Sequence, residues 1–213
     1  IMLDGIPIKT PLRNDLVIEN RLIAQKVHEE WLNVEREINF THMPYTKVCF
    51  ISLDRSEEES FNLRNKLLGF GMSDLLCYRA EIGSDLAKLQ SKGWDPLLEW
   101  IQIQLKITFK ISHSIMPVEQ SSELKISLSK LMLPIPPISL TAMDDLVTLS
   151  GSLIIGLAIL NGKLSPERGW KIIRIDEDWQ RDIWGVLDEQ KAEDKIKKSL
   201  FIRACKILEM VQK

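Results

Sequence analysis

The stretch LVTLSGSLIIGLAIL, residues 146–160, is the most apolar run of the chain and decides how the remainder must be arranged around it. It has 15 residues, whereas a membrane-spanning helix needs about 20 predominantly apolar residues. Its small residues, among them Gly151 and Gly156, would let neighbouring helices approach closely. We therefore expect a buried helix at the centre of a helical body, with no membrane insertion.

The N-terminal part of the chain is predicted to contain β structure followed by one helix. The segment MLDGIPIK (2–9) places Asp4-Gly5 between two short alternating runs, and this pair favours a hairpin turn. Asn20 is a good N-cap, and apolar residues recur at helical spacing after it. We assign residues 1–45 to a small α/β N-terminal domain.

The remaining residues, 46–213, are predicted to form a mostly helical domain, which gives the fold class α+β. One strand is expected near 106–112, because KITFKIS alternates apolar and polar residues. Ser165 and Pro166 are typical of a helix start, and we expect the helix that begins there to carry RIDEDWQRDIWG (174–185).

Composition excludes several classes of protein. The formal net charge is −2 and the isoelectric point is near 6.0, so no basic surface for nucleic acid is indicated. Cys49, Cys77 and Cys205 lie far apart without a C-x-x-C spacing, which favours buried, reduced thiols in a reducing compartment. Because the first residue is Ile1 and not Met, an upstream segment is an open alternative.

No catalytic or cofactor motif is recognisable. His28, His42 and His113 are isolated from one another, so a metal site is not predicted. A phosphate-binding loop is absent, and Gly151 stands between two serines rather than in the G-x-S-x-G elbow. The thiol of Cys77 is predicted to be buried and structural. We therefore expect no enzyme activity, no metal and no cofactor.

The stretch RIDEDWQRDIWG (174–185) carries three consecutive acids and two tryptophans. Consecutive helical residues diverge by about 100°, so the three acids would not converge on one ion. At a spacing of four residues, Arg174 is predicted to pair with Asp178, and Glu177 with Arg181. On a continuous helix, Trp170 would share a face with Glu177. A solvated helix with ion pairs and a docking surface both remain open.

Seven short motifs, taken together and in this order, resemble one family, the ATP12 chaperones, which are assembly factors for the α subunit of the F₁ sector of ATP synthase. The motifs cover nearly the whole chain, although Ile6 and Tyr45 depart from the residues that are common in the family. They are LDGIPIKTP (3–11), EEW (29–31), MPYTK (43–47), DLLCYRAE (74–81), WDPLLEW (94–100), LSGSLIIGLAI (149–159) and DEDWQRDIWG (176–185).

The resemblance implies a non-enzymatic chaperone that binds unassembled α subunit and shields its subunit interface until it meets β. It also implies a small α/β N-terminal domain followed by a larger orthogonal helical bundle. We expect a monomer in the bacterial cytoplasm, with the mitochondrial matrix as the alternative. The resemblance selects as client-binding residues Glu177, Trp179, Gln180, Arg181 and Trp184.

Three other tryptophans, Trp31, Trp94 and Trp100, are assigned structural roles. Trp31 is expected to pack in the core beside Ile23, Val27 and Val34. One alternative to the chaperone remains open at this point, a hydrolase that uses Glu177 and a neighbouring acid. Such an enzyme would need convergent carboxylates with a raised pKa in a cleft.

Overall fold

The protein is mostly helical and has one small sheet at its N-terminus. The structure is a computed structural model that describes residues 1–3, 5–35, 37–114, 116–185 and 188–212. Strands β1 (Met2–Leu3) and β2 (Ile6–Pro7) pair in antiparallel fashion. Gly5 has a φ of 80°, the left-handed conformation that a tight hairpin turn requires. The predicted hairpin is therefore present, while Asp4 lies outside the described residues.

Helices make up the remainder of the regular structure in the described part of the chain, together with 3₁₀ turns at Phe40–His42 and Leu75–Cys77. The helices are α1 (Arg21–Leu32), α2 (Pro44–Asp54), α3 (Glu57–Met72), α4 (Asp85–Leu105), α5 (Ser122–Met132), α6 (Pro137–Ser150), α7 (Leu153–Leu160), α8 (Pro166–Ile173), α9 (Ile175–Trp184) and α10 (Asp188–Val211). A mostly helical chain with a small sheet agrees with the predicted α+β class. The domain boundary at residue 45 and the orthogonal arrangement stay predictions.

The core is centred on the apolar run of residues 146–160. Helix α7 is buried along nearly its whole length, and it packs in one cluster with residues of α1, α2, α6 and α10. Gly156 allows this close packing, because a methyl group on its Cα would lie 2.9 Å from Val147 Cγ2. Among the described residues, no helix is long and apolar enough to span a membrane.

The run 146–160 is not one helix, so that prediction is wrong. Helix α6 ends at Gly151, whose φ of 68° is favourable for glycine, and α7 begins after Ser152. The Ser152 hydroxyl caps α7 by accepting a hydrogen bond from the Ile155 amide at 3.1 Å. The small residues thus serve a helix break as well as close packing.

A buried carboxylate from elsewhere in the chain holds this break. Asp74 accepts hydrogen bonds from the Ser152 hydroxyl at 2.6 Å, the Ile154 amide at 3.0 Å and the Leu76 amide at 3.1 Å. Burial raises the pKa of Asp74 to about 6, and the hydrogen bonds oppose that rise. Two of the motifs in the family resemblance therefore meet in the core.

The strand predicted near 106–112 is also wrong. Lys106 ends α4 in a left-handed conformation with a φ of 55°, and the next residues form an extended segment. Side chains satisfy its backbone: Gln102 accepts from the Phe109 amide at 2.8 Å, and Gln120 bonds both backbone groups of Lys110. Within residues 106–112, all of which the structure describes, only Ser112 makes a β-bridge, with Tyr78. The side chains of Gln102 and Gln120 therefore bond the backbone groups that a partner strand would otherwise bond.

The helix predicted to start at Ser165 is broken at Arg174 into α8 and α9. Arg174 has φ −103° and ψ 5°, and the Trp94 indole N–H donates to the Ile172 carbonyl at 3.0 Å. Because a continuous helix would use that carbonyl itself, the Trp94 contact favours the break. Trp170 and Glu177 therefore do not share one continuous helix face.

Candidate functional site

The three tryptophans that the sequence assigned to structural roles all contact the core. Trp94 is fully buried, with 0% of its surface exposed. Trp31 and Trp100 are half-buried and pack against the same cluster. Val34 is half-buried but follows the end of α1, so it lies near Trp31 as part of the next turn and not of the helix. Trp94 is therefore a core residue, whereas Trp31 and Trp100 pack against the core and keep part of their surface exposed.

Helix α9, which carries the acidic motif, is fixed to α4 by apolar and polar contacts. Ile175 lies so close to Gly93 that a methyl group on Gly93 would come within 2.5 Å of Ile175 Cδ1. The buried Gln90 donates to Asp176 at 2.7 Å. Burial raises the pKa of Asp176, and the Gln90 hydrogen bond partly offsets the rise. Asp176, the first acid of the motif, therefore links α9 to α4 by a hydrogen bond.

Arg174, at the break before α9, joins this helix to α10. Its buried guanidinium lies 2.6 Å from Glu177, 3.1 Å from Asp178 and 3.0 Å from Asp194. It also lies over the Trp170 ring, 5.1 Å from the ring centroid. The predicted pair between Arg174 and Asp178 is confirmed, and Asp194 adds a carboxylate from a separate helix.

Arg181 pairs with Asp194 on α10, and its Nη1 lies 3.9 Å from Asp178. The hydrogen bond from Arg181 is the main reason that the pKa of Asp194 lies below its usual value, and the charge of Arg174 adds to the effect. Within the described ranges, Glu177 ion-pairs with Arg174 and not with Arg181, so that predicted pair is wrong. The sequence could not show that α10 supplies a competing carboxylate.

The far end of α9 presents side chains to solvent. Trp184 is 84% exposed and Ile183 is 57% exposed. The Glu177 side chain stays 55% exposed despite its ion pair. Gln180 is exposed, whereas Trp179 is half-buried. Trp and Arg are the residue types that most often dominate binding energy in protein interfaces, and this end of α9 carries an exposed Trp near Arg181.

Four of the five predicted client-binding residues line one cleft of about 320 Å³ between α9 and α10. These four are Glu177, Gln180, Arg181 and Trp184, while Trp179 is not part of the lining. Sequence reasoning missed the opposite wall, because no local signal places α10 beside α9. That wall is formed by Gln190, Glu193, Asp194 and Lys197.

The chemistry of this region does not resemble a catalytic centre. The three acids diverge, with Asp176 held by Gln90 and the other two by Arg174. In the portion of the chain that the structure describes, no group of three or more His, Cys, Asp or Glu residues could hold a metal ion. Elsewhere, burial raises the pKa of the Cys77 thiol to about 12, which disfavours a reactive thiolate.

Comparisons with known proteins agree on one family. The family model described as ATP12 chaperone protein matches residues 1–102. The mitochondrial protein atp12 of Schizosaccharomyces pombe is 23% identical, over 96% of this chain and 77% of that protein.

Solved structures extend the likeness to the whole fold. The crystal structure of ATP12 from Paracoccus denitrificans is 31% identical with a TM-score of 0.91, and covers 98% of this chain and 90% of its own. A crystal structure of a protein from Agrobacterium tumefaciens is 31% identical with a TM-score of 0.88, over 99% of this chain and 79% of its own. The chain therefore belongs to the ATP12 chaperone family, a family of ATP synthase assembly chaperones and not of enzymes.

Proposed function

We propose that this protein binds the unassembled α subunit of the F₁ ATPase and shields its subunit interface until it meets the β subunit. The observation that carries the proposal is the cleft between α9 and α10, which sets the exposed Trp184 beside Glu177 and Arg181. The hydrolase alternative is set aside, because the family is not one of enzymes.

The side chains at this cleft have the chemistry of an interface centre. Trp and Arg are the residue types that most often dominate binding energy when they become buried between proteins. Trp184 offers a large apolar surface, since 84% of it is exposed in the free protein. The charges around it would set the register of the client and disfavour wrong partners.

Glu177 can take part in recognition while it pairs with Arg174 at the start of its own helix. Its carboxylate is more than half exposed, so it can accept a further hydrogen bond from a basic group of the client. Arg174 would remain paired with Asp178 and Asp194 in that complex. We assign the client-binding role to the predicted set of Glu177, Trp179, Gln180, Arg181 and Trp184.

We further propose that the protein acts as a monomer. We place it in the bacterial cytoplasm, with the mitochondrial matrix as the alternative. The relatives include bacterial proteins and a protein named as mitochondrial, so both compartments fit the family.

The test is the light scattering of F₁ α subunit that is refolded in the presence of this protein. Wild-type protein should suppress the scattering, and Trp184→Ala should lose most of the suppression. Ile103→Ala is the matched control, because Ile103 is also strongly exposed, at 73%, but lies on α4 away from the cleft. Equal suppression by Trp184→Ala and wild type would remove the cleft from the client site.

A further inference from the structure

A second concave surface lies between α2, α6 and α10, and the proposed α9–α10 site does not use it. This groove has a volume of about 860 Å³ and an apolar floor. Val48 and Phe50 are buried in the floor, while Ile51 is 41% exposed and Leu149 is half-buried. An apolar floor of this kind favours the burial of apolar side chains from a partner.

The walls of the groove carry more cations than carboxylates. Four cationic side chains, Lys47, Arg55, Lys66 and Arg203, line the groove together with the two carboxylates Asp144 and Asp145. Lys66 is neutralised by Asp144 at 2.6 Å. Among the residues that the structure describes, Lys47, Arg55 and Arg203 make no ion pair. Asp145 lies near enough to feel two of them, since burial raises its pKa and the charges of Arg203 and Lys47 oppose that rise.

Arg55 and Arg203 are positioned at the groove wall so that they can contact a ligand. Arg55 donates to the Thr141 hydroxyl at 2.8 Å, which holds its guanidinium at the groove wall without neutralising it. Arg203 belongs both to the groove and to an adjoining shallow cleft along α10. Of the described side chains that line that cleft, none is a carboxylate, and the cations are Lys195, Lys198, Arg203 and Lys206.

The charges of α10 are therefore divided between two surfaces. Glu193 and Asp194, together with Lys197, line the cleft with α9, whereas the cations listed above line the adjoining cleft. The whole chain has a net charge of −2, so the positive field here is local and not a property of the protein as a whole. A local field of this sign would attract carboxylates over about 10 Å at moderate ionic strength.

We propose that this basic groove, formed by Lys47, Arg55 and Arg203 around the apolar floor, docks a client segment that combines apolar side chains with carboxylates. The proposal rests on the proposed chaperone function, because the segment belongs to the client. Apolar side chains would enter the floor, and carboxylates would pair with Lys47 and Arg203 at the rim. A polypeptide fits better than a membrane surface, because the apolar residues lie in a concave floor between helices.

The experiment titrates the full chain into two fluorescein-labelled peptides of roughly 16 residues with leucines at helical spacing, one with glutamates beside them and one with glutamines. The glutamate peptide should bind at least about fivefold more tightly, and added salt should reduce the difference. Lys47→Glu with Arg203→Glu should weaken its binding by about tenfold, since two attractive contacts become repulsive.

The matched control is Lys92→Glu with Lys125→Glu, which changes the net charge equally at exposed positions outside the groove. Its affinity should stay within about twofold of wild type. If the Arg203 variant does not fold, as judged by circular dichroism, Lys47→Glu with Lys198→Glu replaces it, because both lysines are exposed.

Three results would overturn the proposal: equal binding of the two peptides, equal weakening by both double variants, or binding only to phosphatidylserine vesicles in a parallel sedimentation assay. The scattering assay with F₁ α subunit separates the two proposals. If the wild-type protein binds the glutamate peptide through the groove yet does not suppress α-subunit aggregation, the groove stands and the proposed client is wrong.

Discussion

Two breaks in predicted helices, one between α6 and α7 and one between α8 and α9, each have a charged side chain beside them, in contrasting surroundings. At the first break, Asp74 is fully buried and its hydrogen-bond donors all come from the core. At the second, Arg174 is buried, but the carboxylates of Glu177 and Asp178 are more than half exposed.

The difference distinguishes a site that serves folding from the site that we propose binds the client. The Asp74 carboxylate at the first break accepts its hydrogen bonds from groups inside the protein. Substitutions of Asp74 should therefore lower the free energy of unfolding. The carboxylates at the second break keep exposed surface that a partner can use. Ion pairs of this exposed kind contribute little to stability, typically below about 1 kcal/mol each.

Asp74→Ala should lower the free energy of unfolding by about 4 kcal/mol or more, because at least two buried donors lose their acceptor and each costs roughly 1–3 kcal/mol. Urea unfolding followed by circular dichroism measures the loss. Asp85→Ala is the control, since the Asp85 side chain is 72% exposed and its pair with Lys88 is a surface contact. Similar urea midpoints for wild type and Asp74→Ala would show that the hydrogen bonds of Asp74 contribute little to stability.

The pH dependence of stability should also report on Asp74. Its pKa in the folded protein is about 6, above the ordinary value of 3.8, so the native state binds more protons than the unfolded state between these values. The free energy of unfolding should therefore fall as pH rises from about 4 to about 6, by up to about 3 kcal/mol from this group. Asp74→Asn should flatten that part of the profile, and an unchanged profile would contradict the assignment.

Arg174→Ala should have a smaller and more local effect of about 2–3 kcal/mol, because it leaves the partly buried Asp194 without one of its two cations. Hydrogen exchange should show faster opening of α9 and the start of α10, with little change in α7. Arg168→Ala is the control at an exposed position of α8. Uniform loss of protection across the protein would mean that the second break is as central to folding as the first.

Glu177→Gln should change stability least, by about 0.5 kcal/mol or less, because its ion pair with Arg174 is exposed on the Glu177 side. If Glu177 recognises the client, the same change should weaken the suppression of α-subunit aggregation strongly, since losing one partner of a desolvated pair costs roughly 2–5 kcal/mol. Thermal melting and light scattering measure the two effects. Full suppression by this variant would exclude Glu177 from the site, and a collapsed melting temperature would make it structural.

Local sequence signals were sufficient for several elements and insufficient for others. The Asn20 cap and the spacing after it predicted a helix that begins at Arg21, because capping depends on neighbouring residues alone. The strand prediction near 106–112 was wrong, because a strand needs a partner strand. The backbone of this segment is bonded instead by the side chains of Gln102 and Gln120.

The candidate site shows the same limit. The sequence motif brought Glu177, Gln180, Arg181 and Trp184 together, since they lie within three turns of one helix. It could not supply the wall from α10, and it paired Arg181 with Glu177 although Asp194 holds Arg181 in the folded protein. Which carboxylate an arginine selects depends on distances between helices that are remote in sequence.

By itself, the sequence determined the mostly helical class, the hairpin, the buried apolar run and the family to which the chain belongs. These depend on residue types at short spacing or on motifs in a fixed order. Only the tertiary structure decided where the two long helical patterns break, because Asp74 and Trp94 contact those breaks from about 80 residues away along the chain. A side chain that is distant in sequence can bond a backbone or capping group at such a break and so favour the turn. Local helix propensity and hydrophobic periodicity contain no information about that contact.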